Sequence, residues 1–240
     1  MDFEIKNDVL IKYRGDDKNI IIPDGVTKIG KNAFFWCTSL ESVTIPDSVK
    51  VIDNKAFIGC DNLRSLEISD NVIRIGYESF YACGSLESIK IPYSVVDIGA
   101  RAFGFCSNLV SIEVDKYNQC YCSENGVLFS KSKFELISYP AGKKDKSYKI
   151  PYGVMDIADG AFDYCKNLKY IIIPDSIMEI GEKAFWCCTN LKIIKLPERL
   201  PKIRSMAFYG CVNLKKVPVS EDAFNDKLEI IRKILMKGNV

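Results

Sequence analysis

The 240-residue sequence contains no histidine. That absence removes Ser-His-Asp and Cys-His nucleophile pairs and every His-ligated metal site. No Gly-rich phosphate loop occurs either, and the acidic residues are scattered, with no basis for pairing two as acid and base. The ten cysteines include no C-x-x-C pair, so a zinc site would have to be assembled from Cys120, Cys122 and something distant. The chain is therefore read as a non-enzyme without metal or cofactor. No run approaches the roughly 18 apolar residues of a membrane span. The N-terminus, MDFEIKNDVL, lacks the basic region and apolar segment of a signal peptide. A net charge of +2 gives no general attraction to nucleic acid or membrane. Free thiols in this number fit a reducing cytoplasm. The expected location is cytoplasmic as written, with the cell surface open if a signal has been removed.

What is present is a repeat. The stretch IGKNAFFWCTSLESVTIPDSV recurs at a step of 23 residues, marked by Cys37, Cys60, Cys83 and Cys106, then Cys165, Cys188 and Cys211. A leucine follows each cysteine three places on, from Leu40 to Leu214, and a phenylalanine precedes each by three, from Phe34 to Phe208. Self-similarity at a fixed period of this length is the signature of stacked repeats. One unit cannot bury its own apolar face, so neighbours close the core and each repeat touches the next.

Within the unit, Val43, Thr44 and Ile45 alternate inward and outward, which reads as a short strand, and Pro46 ends its ladder because it has no N–H. The apolar spacing over residues 29–40 suits a turn or two of helix. Gly30, Gly76, Gly99 and Gly181 precede that segment, where an unusual backbone angle costs little. Stacked parallel strands about 4.8 Å apart give a body about 40 Å long. The column of inward cysteines reads as small hydrophobes. Parallel Cβ vectors keep neighbours near 5 Å apart, beyond the roughly 3.5–4.5 Å of a disulfide.

VTIPDSV, IEVD, AFxxC and CxNL, as they stand here, resemble the BspA-like leucine-rich repeats over about residues 3–219. The pattern departs from the commoner leucine-rich repeat in placing Cys before the leucine and Pro after the strand. The resemblance implies an α/β fold: a right-handed solenoid with short parallel strands lining a concave face and short helical turns. Family members are known as surface proteins of mouth- and gut-dwelling bacteria and of some protists, often implicated in adhesion.

Along the chain, residues 1–23 are expected to form a β cap with a hairpin around Asn7-Asp8. The step from Cys106 to Cys165 is 59 residues, thirteen more than two units, so an insertion is placed at about 116–150, with a hairpin of Val127 to Ser130 against Phe134 to Tyr139. The solenoid of 1–219 is expected to be one domain. Residues 220–240 read as a C-terminal capping helix with a Phe224, Leu228, Ile231, Leu235 stripe. Asn62, Asn108, Asn167, Asn190 and Asn213, each before a repeat leucine, are expected to bond turn backbone between coils.

A ligand would meet the outward strand positions. Early repeats place Ser42, Thr44, Ser65, Glu67, Ser88, Lys90, Ser111 and Glu113 there. Later repeats place Tyr170, Ile172 and Ile193 there, flanked by Lys169, Lys192, Lys195 and Lys215. Exposed apolar groups in neighbouring coils mark contacts, unless the insertion covers them. Residues 37–115 carry 6 Lys/Arg against 11 Asp/Glu, and residues 165–219 carry 10 against 4, so the body is acidic at one end and basic at the other. The expectation is a non-enzymatic module that binds an acidic protein or a glycan at Tyr170, Ile172, Ile193, Lys169, Lys192 and Lys195. Its alternative is a structural protein that self-associates through its ends or its C-terminal helix. Its state would be monomeric or weakly head-to-tail.

Overall fold

The structure, a computed structural model, describes residues 2–214. Every regular element among them is a β-strand, so the fold is an all-β solenoid and not the α/β solenoid expected above. The C-terminal helix expected over 220–240 lies outside the described residues.

The segment expected to be helical shows why. After the two-residue strand Lys28–Ile29 the chain runs through consecutive turns to residue 40. Its amides point alternately in two directions. Ala33, Phe35 and Cys37 donate three residues back, to Gly30, Asn32 and Phe34. Asn32, Phe34 and Trp36 instead donate to Asn54, Ala56 and Ile58 of the next coil. A helix would keep all of these bonds within one segment. Here a stacked neighbour presents its own carbonyls, which need donors. The backbone meets that demand by placing two residues per coil in the left-handed region, four apart. They are Asn32 and Trp36, Lys55 and Gly59, Glu78 and Ala82, Arg101 and Phe105, and the series resumes with Gly160 and Tyr164. Each non-glycine there costs about 1–2 kcal/mol, which the coil-to-coil bond offsets.

The glycines ahead of this segment have a different role from the one expected. Gly30, Gly76, Gly99 and Gly181 do not have positive φ. A Cβ on Gly99 would lie 2.3 Å from the backbone nitrogen of Tyr77, and one on Gly181 would lie 2.6 Å from that of Asp159. They are glycine because the preceding coil's backbone passes there.

Each coil has two β walls. The long-strand wall carries the sheets Asn19–Ile21, Ser42–Thr44, Ser65–Glu67, then Ser88–Ile91, Ser111–Val114, then Ser147–Lys149, Tyr170–Ile172, Ile193–Lys195. The short-strand wall begins with the antiparallel hairpin of Phe3–Lys6 and Val9–Tyr13, turned through left-handed Asn7 and Asp8, and continues in parallel register through Lys28–Ile29, Val51–Ile52, Arg74–Ile75 and Asp97–Ile98. The insertion rebuilds such a start. Tyr121–Glu124 and Val127–Ser130 pair around Asn125-Gly126, then Glu135–Ser138 leads a new parallel run through Asp156–Ile157, Glu179–Ile180 and Lys202–Ile203.

The core between the walls follows the same two-start plan. Phe34, Phe57, Phe80 and Phe103 stack face to face, with centroids 4.6 Å apart at Phe34–Phe57 and 5.9 Å at Phe80–Phe103, and Tyr13 starts the column in a tilted contact with Phe34. A second stack runs Tyr139, Phe162, Phe185, Phe208. Each begins with a tyrosine whose hydroxyl donates to a nearby aspartate, Tyr13 to Asp17 and Tyr139 to Asp145. The repeat cysteines are more than small hydrophobes. The thiols of Cys60, Cys83, Cys106, Cys165, Cys188 and Cys211 each donate to a carbonyl 26 residues earlier, that of a ladder ring in the preceding coil. Asn62, Asn167, Asn190 and Asn213 donate to carbonyls 24 residues earlier.

Two measurements check this architecture. Ala82 sits half-buried at φ 60°. In a helix Ala82→Gly would cost about 1 kcal/mol. At a left-handed site it relieves strain of similar size, so denaturant unfolding should show stability unchanged or raised by up to about 1 kcal/mol. A loss of that size contradicts the left-handed assignment. Burial pushes the thiols of Cys60, Cys83 and Cys188 up, and that of Cys106 up to about 12. Alkylation near pH 8 should therefore spare the six buried repeat thiols in native protein and reach all ten after denaturation. Rapid native labelling of those six would overturn the burial.

Candidate binding face

The late long-strand wall places each expected residue by simple alternation. Ile171 and Ile194 point inward and are buried, so Tyr170, Ile172, Ile193 and Lys195 point outward. Register aligns them across coils. Ser147, Tyr170 and Ile193 form one row, and Lys149, Ile172 and Lys195 the next. Tyr170 is 43% exposed and Ile172 39%, while Ile193, across from Tyr170 on the next strand, is half-buried. The end of the insertion, Ser147–Lys149, is the next strand of the same sheet and lies beside the patch, not over it.

Lysines surround these apolar groups. Lys146, Lys169 and Lys192 stack in one column, joined by backbone bonds from Lys192 N to Lys169 O and from Lys169 N to Lys146 O. With Lys149 and Lys195 they make five cations, none of which forms an ion pair among the described residues. Like charges on adjacent strands repel and are tolerated only in water or opposite a complementary surface. Lys215, expected at the same flank, lies outside the described residues.

The early long-strand wall is different. Lys18 pairs with Glu41 and Lys90 reaches Asp115 at 3.8 Å. The ladder is interrupted between Ser65–Glu67 and Ser88–Ile91, which belong to separate sheets. There a groove of about 550 Å³ opens, floored by half-buried Leu66 and Ile68 and edged by Asp47, Glu67, Asp70 and Lys90. Nothing in the sequence period marked this opening, because Leu66 keeps the inward place in the pattern.

At the junction of the two stacks the turn ladder stops. Ala82 donates to Gly104 O in the last coil of the first stack, and the turn ladder resumes when Tyr139 donates to Ala161 O and Gly160 to Glu182 O. Side chains fill the gap. Arg101 donates from Nε and Nη2 to Asp163 Oδ2 at 3.1 and 2.8 Å, from Nη1 to Glu78 Oε1 at 2.7 Å and from Nη2 to the Tyr81 hydroxyl at 3.0 Å. The Phe105 and Tyr164 rings meet beside it. The Asp163 side chain is fully buried, and burial pushes its carboxyl up to about 6 against the pull of Arg101. This cluster is structural. Sequence reasoning missed it because its partners are 62 residues apart and break the repeat at Gly104 and Asp163. Among the described residues no group of three or more His, Cys, Asp or Glu side chains is arranged to hold a metal.

The repeat pattern matches a known family. The BspA type leucine rich repeat region, in six copies, matches residues 10–135 and 138–233. The chain belongs to this BspA-type leucine-rich repeat family. Its fold is similar to that of a leucine-rich repeat protein of Eubacterium ventriosum, with a TM-score of 0.62 at 23% identity over 88% of this chain and 78% of that one. A leucine rich cell surface protein of Faecalibacterium prausnitzii matches with a TM-score of 0.50 at 26% identity over 90% and 86% of the two chains. A leucine-rich repeat protein of Bacteroides ovatus is 32% identical with a TM-score of 0.54, over 83% of this BspA-type chain and 54% of its own length. No curated protein matches the chain. Among the described residues no helix is long and apolar enough to cross a membrane.

Removing Arg101 tests the junction. Arg101→Met leaves the buried Asp163 without its hydrogen-bonded cation, with only Lys183 acting on it at longer range, and the loss should be about 3–5 kcal/mol. The carboxyl's folded pKa already lies above its unfolded value, and losing the guanidinium raises it further. The folded state then gains stability by taking up a proton as pH falls. The variant's deficit should thus be largest near pH 8 and shrink toward pH 5 in parallel urea titrations. A deficit under about 1 kcal/mol, or one independent of pH, would show that the cluster does not hold the stacks together.

Proposed function

We propose that this BspA-type chain is a non-catalytic interaction module, of the kind used in adhesion, whose late long-strand wall binds an acidic protein segment. Tyr170 and Ile172 are the anchors, Ile193 extends the apolar row, and Lys149, Lys169, Lys192 and Lys195 supply the charge. One observation carries the reading: an exposed tyrosine and isoleucine in adjacent rows, ringed by lysines that form no ion pair among the described residues. Tyr170 is large, rigid and amphipathic, the type that anchors interfaces. The lysines favour an acidic partner and speed encounter more than they tighten the complex. The family's repeat scaffold supports binding in place of catalysis, because its regular features are spent on stacking and its outward strand positions are free to vary.

The test separates apolar anchoring from charge. A labelled peptide alternating glutamate and leucine should bind saturably. The double change Tyr170→Ser with Ile172→Thr keeps every lysine, and it should weaken binding at least about tenfold while Tm stays within about 2 °C. Unchanged binding removes the anchors. A fall in Tm of several degrees would mean that the patch is covered from within, and the site fails.

A further inference from the structure

The two halves of the long-strand wall are complementary to each other. The early half offers a groove of about 550 Å³ with an apolar floor, Leu66 and Ile68, and edges on which three carboxylates, Asp47, Glu67 and Asp70, outnumber one cation, Lys90. The late half offers a protruding apolar pair, Tyr170 and Ile172, with lysines around it. Neither surface can meet the other within one molecule, because both face outward from the same wall.

We propose that the partner of the basic patch is the acidic groove of a second copy of this chain, in an antiparallel two-fold dimer. The proposal rests on the patch being a docking surface. Counting long strands along the wall among the described residues, the groove lies on the third and fourth of eight, Ser65–Glu67 and Ser88–Ile91. The patch lies on the seventh and eighth, Tyr170–Ile172 and Ile193–Lys195. Turning one copy end over end sets strand three against strand eight and strand four against strand seven. The same operation sets the second copy's groove against the first copy's patch. Both contacts therefore close together, as an isologous interface requires, and no open filament results. In each contact Tyr170 enters the groove over Leu66 and Ile68, while Lys195 on strand eight faces Glu67 on strand three. The fifth and sixth strands oppose one another, which sets Ser111 against Ser147 and Glu113 against Lys149. The uneven charge follows the same logic: 6 Lys/Arg against 11 Asp/Glu over residues 37–115, and 10 against 4 over residues 165–219.

Sedimentation velocity with designed charge swaps decides it. Wild-type protein should be dimeric at about 20 mM salt and shift toward monomer at about 500 mM, where opposite charges are screened. One variant carries Glu67→Lys and Glu113→Lys, the other Lys149→Glu and Lys195→Glu. All four positions are exposed, so circular dichroism and Tm should match wild type. Each variant alone meets like charge in both contacts and should be monomeric. Their equimolar mixture pairs opposite charges in both contacts and should form a heterodimer. Wild-type protein that stays monomeric at low salt up to about 0.5 mM overturns the dimer, as does a mixture that does not associate. If the Glu-Leu peptide still binds through Tyr170 in that event, only the dimer falls. If the peptide also fails to bind, the docking surface falls with it.

Discussion

The hydrogen bonds between successive coils constrain everything else in this molecule. Because the amides of Asn32, Phe34 and Trp36 donate to the next coil and not to their own, no coil completes itself. The two left-handed residues in each coil, the glycines against which neighbouring backbone passes, and the close spacing of the phenylalanine rings all follow from that demand. The cysteine fits the same scheme. A thiol is small enough for the column and still donates to the ladder carbonyl of the previous coil, which an alanine could not do.

A stack built this way has to be started and can be restarted. At both starts an antiparallel hairpin feeds the short-strand wall and a tyrosine replaces the first ladder phenylalanine. The tyrosine hydroxyl reaches Asp17 or Asp145 at the edge of the core, where a polar tip can be satisfied and an inner ring could not. Between the stacks the turn ladder is missing, although Ile112 donates to Gly126 O and Gly142 to Leu109 O, and Arg101 links Glu78 to Asp163 where the turns no longer pair. A guanidinium can serve several acceptors at fixed angles, which suits it to a seam where two regular lattices do not continue into each other.

Once stacking has taken the inward and turn positions, only the outward strand positions are free. Selection for binding can act there at little cost to the fold. That freedom explains how one wall carries serine, threonine and acidic groups in its early coils and an apolar, lysine-rimmed patch in its late coils, on the same backbone.

The sequence alone determined the repeat, its step, the inward columns of Phe, Cys and Leu, the long strands and the outward rows that hold Tyr170, Ile172 and Ile193. Side-chain alternation and a fixed period are local, and they survive in the letters. The secondary structure of residues 29–40 was not legible, because apolar spacing of 4, 1, 3, 3 suits a helix and a stacked turn equally well. Only the neighbouring coil, by taking alternate amides, decided between them. Arg101 with Asp163 and the groove at Leu66 were likewise decided by tertiary structure. Each depends on which coils lie side by side, and a break in the ladder leaves no mark in a pattern that reads the same across it.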